Sequence, residues 1–310
     1  MSGSFTEIGG QEWLTQFERY LLASDLAPTT VSNYLSDLQG FARWLRQRVE
    51  GQPSFLRFNP ADVQDYCTFL QQIQHLSAAT INRRLQAIRK FAKFALVAGL
   101  AEADPTSGLK RLREERPSSI RMLSPDEVTR LVEAIQNGRR SLAKRDLAVV
   151  LLVLHAGLKV GELVNLWVAD FEPSEEGGAI TVRHHDGERG RTIPLPPEVC
   201  SALQEYLQIR LAPPMVEHLF LSQQGAPISA RSVQRLIREY AAAAGLGEVS
   251  SSILRRTYAQ TVWKKTGDLR QVARALGHTR LNSTIRYMAS ILEDTSWIKE
   301  KSSANVSQRR

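Results

Sequence analysis

Three residue types near the end of the chain can together hold and attack a phosphodiester. Arg255 stands in LRRTYAQ, His278 follows Leu-Gly, and Tyr287 comes nine residues after His278, with Thr284 three residues before it. A cation can offset phosphate charge, an imidazole can form hydrogen bonds, and a phenol can attack phosphorus. Taken singly, each residue is more often structural: a surface arginine, a capping histidine or a half-buried tyrosine. Spacing alone leaves both interpretations open.

A second basic feature lies in the fourth predicted helix. This segment has no acidic residue between Ala78 and Leu100. It carries five cations, which are Arg83, Arg84, Arg89, Lys90 and Lys93. Five cations on one helix face can contact phosphates and release counterions, which predicts a DNA-binding face. A solvated helix face is the alternative, although such faces usually mix charge signs.

The composition favours a polyanionic partner without identifying it. The chain has 40 Lys and Arg against 32 Asp and Glu, a net charge of +8. Its two cysteines, Cys67 and Cys200, form no CxxC pair, so the sequence gives little support to a metal or redox site. No long apolar run and no apolar signal core are present. We therefore expect no membrane association and a cytoplasmic protein, associated with the nucleoid if it binds DNA.

Two domains are expected for 310 residues. Helical periodicity predicts an all-helical domain over residues 11–109. The charged, proline-containing stretch KRLREERPSSIRM predicts a linker over 110–122. Ser124-Pro125-Asp126-Glu127 is typical of a helix start and opens a second domain over 123–292. Segments 179–182 and 192–195 flank a polar turn and predict a β-hairpin. The expected fold is therefore mainly α, with a small β-hairpin or sheet.

Four ordered sequence boxes resemble those of the tyrosine recombinases, the Xer-like phage integrase family. HAGLKVGELVNLWVADF is similar to the first arginine box and LRRTYAQ to the second. DGERGRTIPL is similar to the family's hairpin GKGxKxRxVPL, and LGHTRLNSTIRYM to its tyrosine box. The resemblance covers residues 11–292. It implies a SAM-like helical core-binding domain, followed by an α+β catalytic domain.

The resemblance also implies roles for the matching residues. Tyr287 would attack the scissile phosphate and form a 3′-phosphotyrosine, which keeps the bond energy, so neither ATP nor a metal or other cofactor is expected. Arg255 would clamp the non-bridging oxygens. His278 would hydrogen-bond the phosphate or position the tyrosine. The implied partner is double-stranded DNA, with self-association as a tetramer of two dimers on two sites, alone or with a second recombinase.

Three of the six catalytic positions depart from the family pattern. Lys159 stands in place of the first arginine and loses its planar fork. Ser252 replaces the second-box histidine and cannot shuttle a proton at neutral pH. In the hairpin, Asp186 falls at the position of the general-acid lysine and Arg189 at the later basic position. His184, His185 and Arg189 are candidate substitutes for the missing acid, although arginine donates protons poorly.

Two hypotheses remain open. A working site-specific recombinase or integrase fits the intact trio Arg255, His278 and Tyr287. A catalytically weakened member, binding DNA as an accessory or regulatory subunit, fits the three departures, since losing general acid catalysis costs about 10²–10⁴-fold. A type IB topoisomerase-like activity and an unrelated helical DNA-binding regulator are further alternatives. The first hypothesis requires Lys159, Arg255, His278 and Tyr287 to surround one phosphate, in a cleft between two helical lobes.

The last residues suggest a separate function. In the family that the chain resembles, the final helix packs into a neighbouring subunit. Residues 293–310 are therefore a candidate docking segment, with Ile291, Leu292, Trp297 and Ile298 as its apolar face. A frayed terminus is the alternative.

Overall fold

The computed structural model describes residues 12–24, 26, 28–48, 58–114, 121–138, 142–174, 176–183, 189–213 and 215–292. The chain divides into two compact units, Met1–Pro117 and Ser118–Arg310. The described residues form helices and one three-stranded sheet. The prediction of a mainly α fold with a small sheet is confirmed.

The first unit contains four helices around one apolar core. They are α1 (Glu12–Leu22), α2 (Pro28–Arg48), α3 (Pro60–Gln72) and α4 (Ala78–Val97). Phe17, Phe41 and Phe91 are fully buried in that core. After α4, Gly99 adopts a φ of +69°, a left-handed conformation that favours glycine and is common where a helix ends.

The start of the predicted linker is fixed to α4. The Asn82 side-chain amide donates to the Leu112 carbonyl oxygen at 2.9 Å, and its oxygen accepts from the Leu112 amide at 2.9 Å. Asn82 also donates to Glu114 at 2.8 Å. Residues 110–114 therefore pack on the first unit. Residues 115–120 lie outside the described part of the chain, so the bounds of the linker stay a prediction.

The second unit begins with the predicted helix start. The Ser124 hydroxyl accepts from the Glu127 amide at 3.2 Å, and the Glu127 carboxylate accepts from the Ser124 amide at 2.9 Å. This reciprocal cap satisfies amides at the beginning of the helix. The helices of this unit are α5 (Pro125–Gln136), α6 (Ala143–Ala156), α7 (Val160–Val164), α8 (Pro197–Ile209), α9 (Ala230–Ala243), α10 (Ser251–Thr266), α11 (Leu269–Leu276) and α12 (Leu281–Ala289).

The sheet is antiparallel in the order β1 (Phe171–Ser174), β2 (Gly177–Arg183) and β3 (Arg189–Leu195). Ile180 of β2 lies opposite Phe171 on one side and Ile193 on the other. The predicted hairpin of β2 and β3 is confirmed. Strand β1 was not predicted, because its sequence Phe-Glu-Pro-Ser has no alternating apolar pattern and three of its four residues are exposed. Residues 184–188 of the turn lie outside the described residues.

The predicted apolar face of the tail is only partly described. Ile291 is buried in its own unit, in a cluster with Leu276 and Met288, and Leu292 packs against the same cluster. The prediction that Ile291 forms part of a docking face is therefore wrong, because the core already covers it. Trp297 and Ile298 lie outside the described residues.

Two further features concern only the described residues. No group of acidic, cysteine or histidine side chains within the ranges given above is arranged to hold a metal ion. None of the helices in those ranges has the length and apolar character needed to cross a membrane.

Candidate active site

Five elements of the second unit carry the residues of the candidate site. Lys159 precedes α7, Arg191 lies on β3, Arg255 lies on α10, His278 follows α11, and Tyr287 lies on α12. Their mutual interactions, described below, place them in one site.

Arg255 is fixed at the junction of two helix ends. Its side chain is buried, with 7% of the residue exposed. The guanidinium donates to the carbonyl oxygen of Gly157, the residue that caps α6. It also donates to the carbonyl oxygen of Leu276, the last residue of α11, at 2.6 Å. Its Nη1 also lies 3.8 Å from Oε2 of Glu162. Two backbone carbonyls and one carboxylate therefore determine where this cation points.

Glu162 of α7 connects the cations of the site. It accepts two parallel hydrogen bonds from Arg191, at 3.0 and 2.9 Å, and one from the Lys159 backbone amide at 2.8 Å. The Nζ atom of Lys159 lies 4.0 Å from its Oε1. Burial raises the pKa of Glu162, but the hydrogen bonds from Arg191 and the Lys159 amide lower it more, so its pKa falls below 4.5. One ionised carboxylate thus sits among three cations.

Arg191 is held closely by the loop that carries His278. A Cβ atom at Gly277 would overlap the Arg191 guanidinium, and Gly277 has a φ of +66°. The Nε atom of Arg191 is buried and has no hydrogen-bond partner within the described residues. Arg191 was not among the predicted site residues. A signal for it existed, since the hairpin pattern that the sequence resembles has a basic residue two positions before Ile-Pro-Leu.

His278 contacts both Thr284 and Tyr287. Its Nδ1 lies 2.9 Å from the Thr284 hydroxyl, and its ring meets the Tyr287 ring edge-on, with centroids 5.6 Å apart and planes at 84°. Burial lowers the pKa of His278 below 6.5; the charges of Arg255, Lys159 and Arg191 lower it further, while Glu162 opposes them. The imidazole is therefore neutral at neutral pH and can accept a proton.

The Tyr287 phenol lies beside the buried arginine. Burial raises its pKa above 10.0, whereas Arg255 and Arg256 lower it by their charges, and Arg255 also by hydrogen bonding. The phenol is therefore protonated at neutral pH and needs a base before it can act as a nucleophile. Arg256, the residue after Arg255, also belongs to the surroundings of Tyr287.

The structure brings together four of the predicted catalytic residues. They are Lys159, Arg255, His278 and Tyr287, which influence one another's pKa values or lie in contact. Ser252 is exposed in the first turn of α10, three residues before Arg255. His184 and His185 lie outside the described residues, as does the side chain of Arg189. The predicted roles of Ser252 and of these three residues stay predictions.

Some cations of α4 already have partners within the protein, so they are less available for contact with DNA than the sequence suggests. Arg83 forms a two-pronged ion pair with Asp37 of α2, one bond of which measures 2.9 Å. Arg84 lies toward the same carboxylate, with Nε 3.9 Å from it, and its side chain is only 26% exposed. DNA contact through Arg84 stays a prediction, although its side chain is less exposed than that of Arg83. The acid that pairs with both arginines comes from another helix, so counting charges within α4 could not find it.

The remaining cations of α4 differ from one another. Arg89 donates to the Leu109 carbonyl oxygen, and Lys90 lies over the Tyr20 ring with its Nζ 5.4 Å from the ring centroid. Lys93 is exposed. DNA binding by these residues stays a prediction, and Lys93 and the half-exposed Arg83 are the members best placed for it.

Comparison with known proteins gives matches over nearly the whole chain. A family model described as "Phage integrase family" matches residues 121–293, and one described as "Phage integrase, N-terminal SAM-like domain" matches residues 14–99. Tyrosine recombinase XerC of Shewanella amazonensis is 29% identical over 278 residues, covering 89% of this chain and 90% of that protein. The XerC of Lactobacillus leichmannii is also 29% identical, covering 88% and 92%.

Solved structures of similar proteins support the same fold. XerH site-specific recombinase, bound to its difH substrate before cleavage, superposes with a TM-score of 0.69 at 18% identity, covering 89% of this chain and 92% of that chain. A lambda integrase tetramer bound to a Holliday junction superposes with a TM-score of 0.67 at 17% identity, covering 91% and 78%. These likenesses concern the fold.

Proposed function

Because the chain belongs to the phage integrase family, we propose that it cuts and rejoins double-stranded DNA at specific sites as a tyrosine recombinase. The observation that carries the proposal is the arrangement of Tyr287 beside Arg255 and His278. The nucleophile, the phosphate clamp and the base are each supplied by a different helix end or helix face. The proposed partner is duplex DNA.

Binding of the scissile phosphate falls to Arg255. A guanidinium has five N–H donors, and the bonds to Gly157 and Leu276 use two of them. Arg255 also hydrogen-bonds Tyr287, and the donors that remain would bind the non-bridging phosphate oxygens. Since Glu162 neutralises only part of the charge of Lys159, Arg191 and Arg255, the site keeps a net positive charge that complements a phosphodiester.

The covalent step would use Tyr287 as nucleophile. Its Oη forms a bond to phosphorus while the bond from phosphorus to the 5′ oxygen breaks, giving a 3′-phosphotyrosine and a free 5′ hydroxyl. The phenolic proton passes to the neutral His278 imidazole, directly or through one water. The edge-on ring contact and the lowered pKa of His278 support this role. Attack by a 5′ hydroxyl of the second DNA reverses the step and rejoins the strands.

Strand exchange between two sites needs several copies of the chain. We propose a tetramer assembled on two DNA sites, like the lambda integrase tetramer bound to a Holliday junction. Each copy would contribute one Tyr287.

The accessory-subunit alternative has specific support from Lys159 and Ser252, which depart from the family pattern. The intact contacts among Arg255, His278 and Tyr287 weigh against it, because a protein that only binds DNA has no need of a phenol kept beside a buried guanidinium. The two functions differ in one observable, the covalent intermediate.

The test uses duplexes that the purified chain selects from a randomised pool. A nick beside the cleavage position lets the short 5′ fragment diffuse away, so a covalent intermediate accumulates. We expect a protein–DNA adduct on a denaturing gel, absent from Tyr287→Phe. Selective retention of the duplex with no adduct over a range of pH would instead establish the accessory function.

A further inference from the structure

If the chain cleaves DNA as proposed above, the 5′ oxygen that leaves phosphorus needs a proton. An alkoxide is a poor leaving group, so the bond to phosphorus breaks faster when an acid protonates the oxygen. In the family pattern a hairpin lysine holds that position, and here Asp186 stands there. The chain therefore needs another donor if it cleaves DNA.

Most groups of the described site are unsuited to donate that proton. Arg191, Arg255 and Arg256 carry guanidinium groups, which are poor proton donors in proteins. Burial and nearby cations keep His278 neutral. Tyr287 is the nucleophile. Among the described side chains of the site, the ammonium of Lys159 is the remaining cationic acid that can lose a proton.

Lys159 also has a suitable geometry, because its backbone is fixed while its side chain is exposed. Its backbone amide donates to Glu162 at 2.8 Å, which fixes where the residue begins. Its side chain is 57% exposed, and its Nζ lies 4.0 Å from the Glu162 carboxylate, too far for a tight hydrogen bond. Its charge acts on His278, which contacts Tyr287. The ammonium therefore lies in the site, beside the same Glu162 carboxylate that neighbours Arg255, and is ion-paired with it without a tight hydrogen bond.

We propose that Lys159 is the general acid that protonates the leaving 5′ oxygen. The electron pair of the bond between phosphorus and oxygen goes to the 5′ oxygen, which takes a proton from Nζ as Tyr287 Oη bonds to phosphorus. Lys159 becomes a neutral amine and His278, having taken the phenolic proton, becomes charged. The total charge is unchanged, and rejoining returns both protons.

This role explains two departures from the family pattern together. A lysine in place of an arginine loses a planar phosphate fork but gains a proton that can be transferred. The hairpin loses its lysine in the same chain. The two changes compensate if the acid has moved from the hairpin to the residue before α7.

The test compares an ordinary duplex with one that has sulfur in place of the bridging 5′ oxygen at the cleavage position. A thiolate leaves without protonation, because a thiol has a pKa of about 8.5. We expect Lys159→Arg and Lys159→Met to cleave the oxygen substrate about 10²–10⁴-fold more slowly than the wild type. On the sulfur substrate both should approach the wild-type rate. His278→Gln serves as the matched control and should stay slow on both substrates.

Several results would overturn the role of Lys159. One is a Lys159→Arg protein that cleaves the oxygen substrate as fast as the wild type, because a positive charge alone would then suffice. Another is equal impairment of the Lys159 variants on both substrates. A third is sulfur rescue of His184→Gln or His185→Gln in place of the Lys159 variants. If the wild type forms no adduct on either substrate, the proposed function itself fails, which separates the two outcomes.

Discussion

Replacing Glu162 with glutamine removes the negative charge on which the basic residues of the site are arranged. The wild-type carboxylate accepts both hydrogen bonds of the Arg191 fork and one from the Lys159 amide. A glutamine has nearly the same shape, but its single carbonyl oxygen can replace only part of these bonds. Its amide nitrogen would face guanidinium donors, so we expect Arg191 to lose its fixed position.

The expected cost follows from the burial of the pair. The side chains of Glu162 and Arg191 are 17% and 21% exposed, so solvent screens their interaction only partly. Hydrogen bonds to charged groups contribute about 1.5–3 kcal/mol each, and breaking a buried ion pair costs about 3–5 kcal/mol. For this partly exposed pair, with some bonds replaced, we expect Glu162→Gln to cost about 2–4 kcal/mol of local stability.

Amide hydrogen exchange measured by mass spectrometry reports this cost where it arises. Peptides covering α7 and β3 should lose about 30- to 700-fold in protection, since about 1.4 kcal/mol corresponds to a factor of ten. Glu198→Gln is the matched control: its carboxylate is 61% exposed and lies 3.2 Å from His155, so little change is expected. Protection in Glu162→Gln within about twofold of the wild type would refute the reasoning.

The stabilisation by Glu162 should also depend on pH. The pKa of Glu162 in the folded protein lies below 4.5, so its stabilisation is present above 4.5 and is lost as pH falls through the folded value. Wild-type protection of α7 and β3 should therefore drop in acid, toward that of Glu162→Gln. The variant should lack this component of the acid transition. Parallel acid profiles for the two proteins would contradict the assignment.

Three further predictions concern other parts of the protein. Gly277→Ala places a methyl group against the Arg191 guanidinium at a φ of +66°, so we expect lower thermal stability and slower DNA cleavage; unchanged values of both would count against the close contact. The lowered pKa of His278 predicts that single-turnover cleavage keeps its rate down to below pH 6.5 and then falls, and that His278→Gln lacks this fall; a wild-type decline beginning above pH 6.5 would exclude His278 as the base. Lys93→Ala should reduce the salt dependence of DNA binding by about one phosphate contact, because Lys93 is exposed. Arg89→Ala should chiefly lower thermal stability, because Arg89 already donates to the Leu109 carbonyl oxygen. The opposite pattern would exclude DNA contact through Lys93.

Local sequence signals predicted much of the fold. The start of α5 could be predicted because Ser124 and Glu127 satisfy each other's amides within one turn. The hairpin of β2 and β3 followed from two apolar stretches around a polar turn. Strand β1 could not be predicted, since its sequence Phe-Glu-Pro-Ser has no alternating apolar pattern, although it pairs with the strand that directly follows it.

The candidate site was predictable where one residue in a box determines the chemistry. Tyr287 and Arg255 lie on helices and His278 lies just after one, at the places in the chain that the boxes already implied. The role of Glu162 was not predicted, because it depends on Arg191 arriving from β3, 29 residues further along the chain. Arg84 shows the converse: its charge was visible in the sequence, but its neighbour Asp37 lies on α2, 47 residues away. The sequence therefore did not determine which side chains of different helices and strands form ion pairs with each other.

The central claim is that the Tyr287 oxygen becomes bonded to DNA. The most direct measurement is to digest the adduct with protease and nuclease and to locate the remaining nucleotide by mass spectrometry. We predict a phosphodiester-linked nucleotide on the peptide that contains Tyr287, with fragment ions placing it on that residue. A nucleotide on another side chain, or an adduct that survives in Tyr287→Phe, would contradict the account.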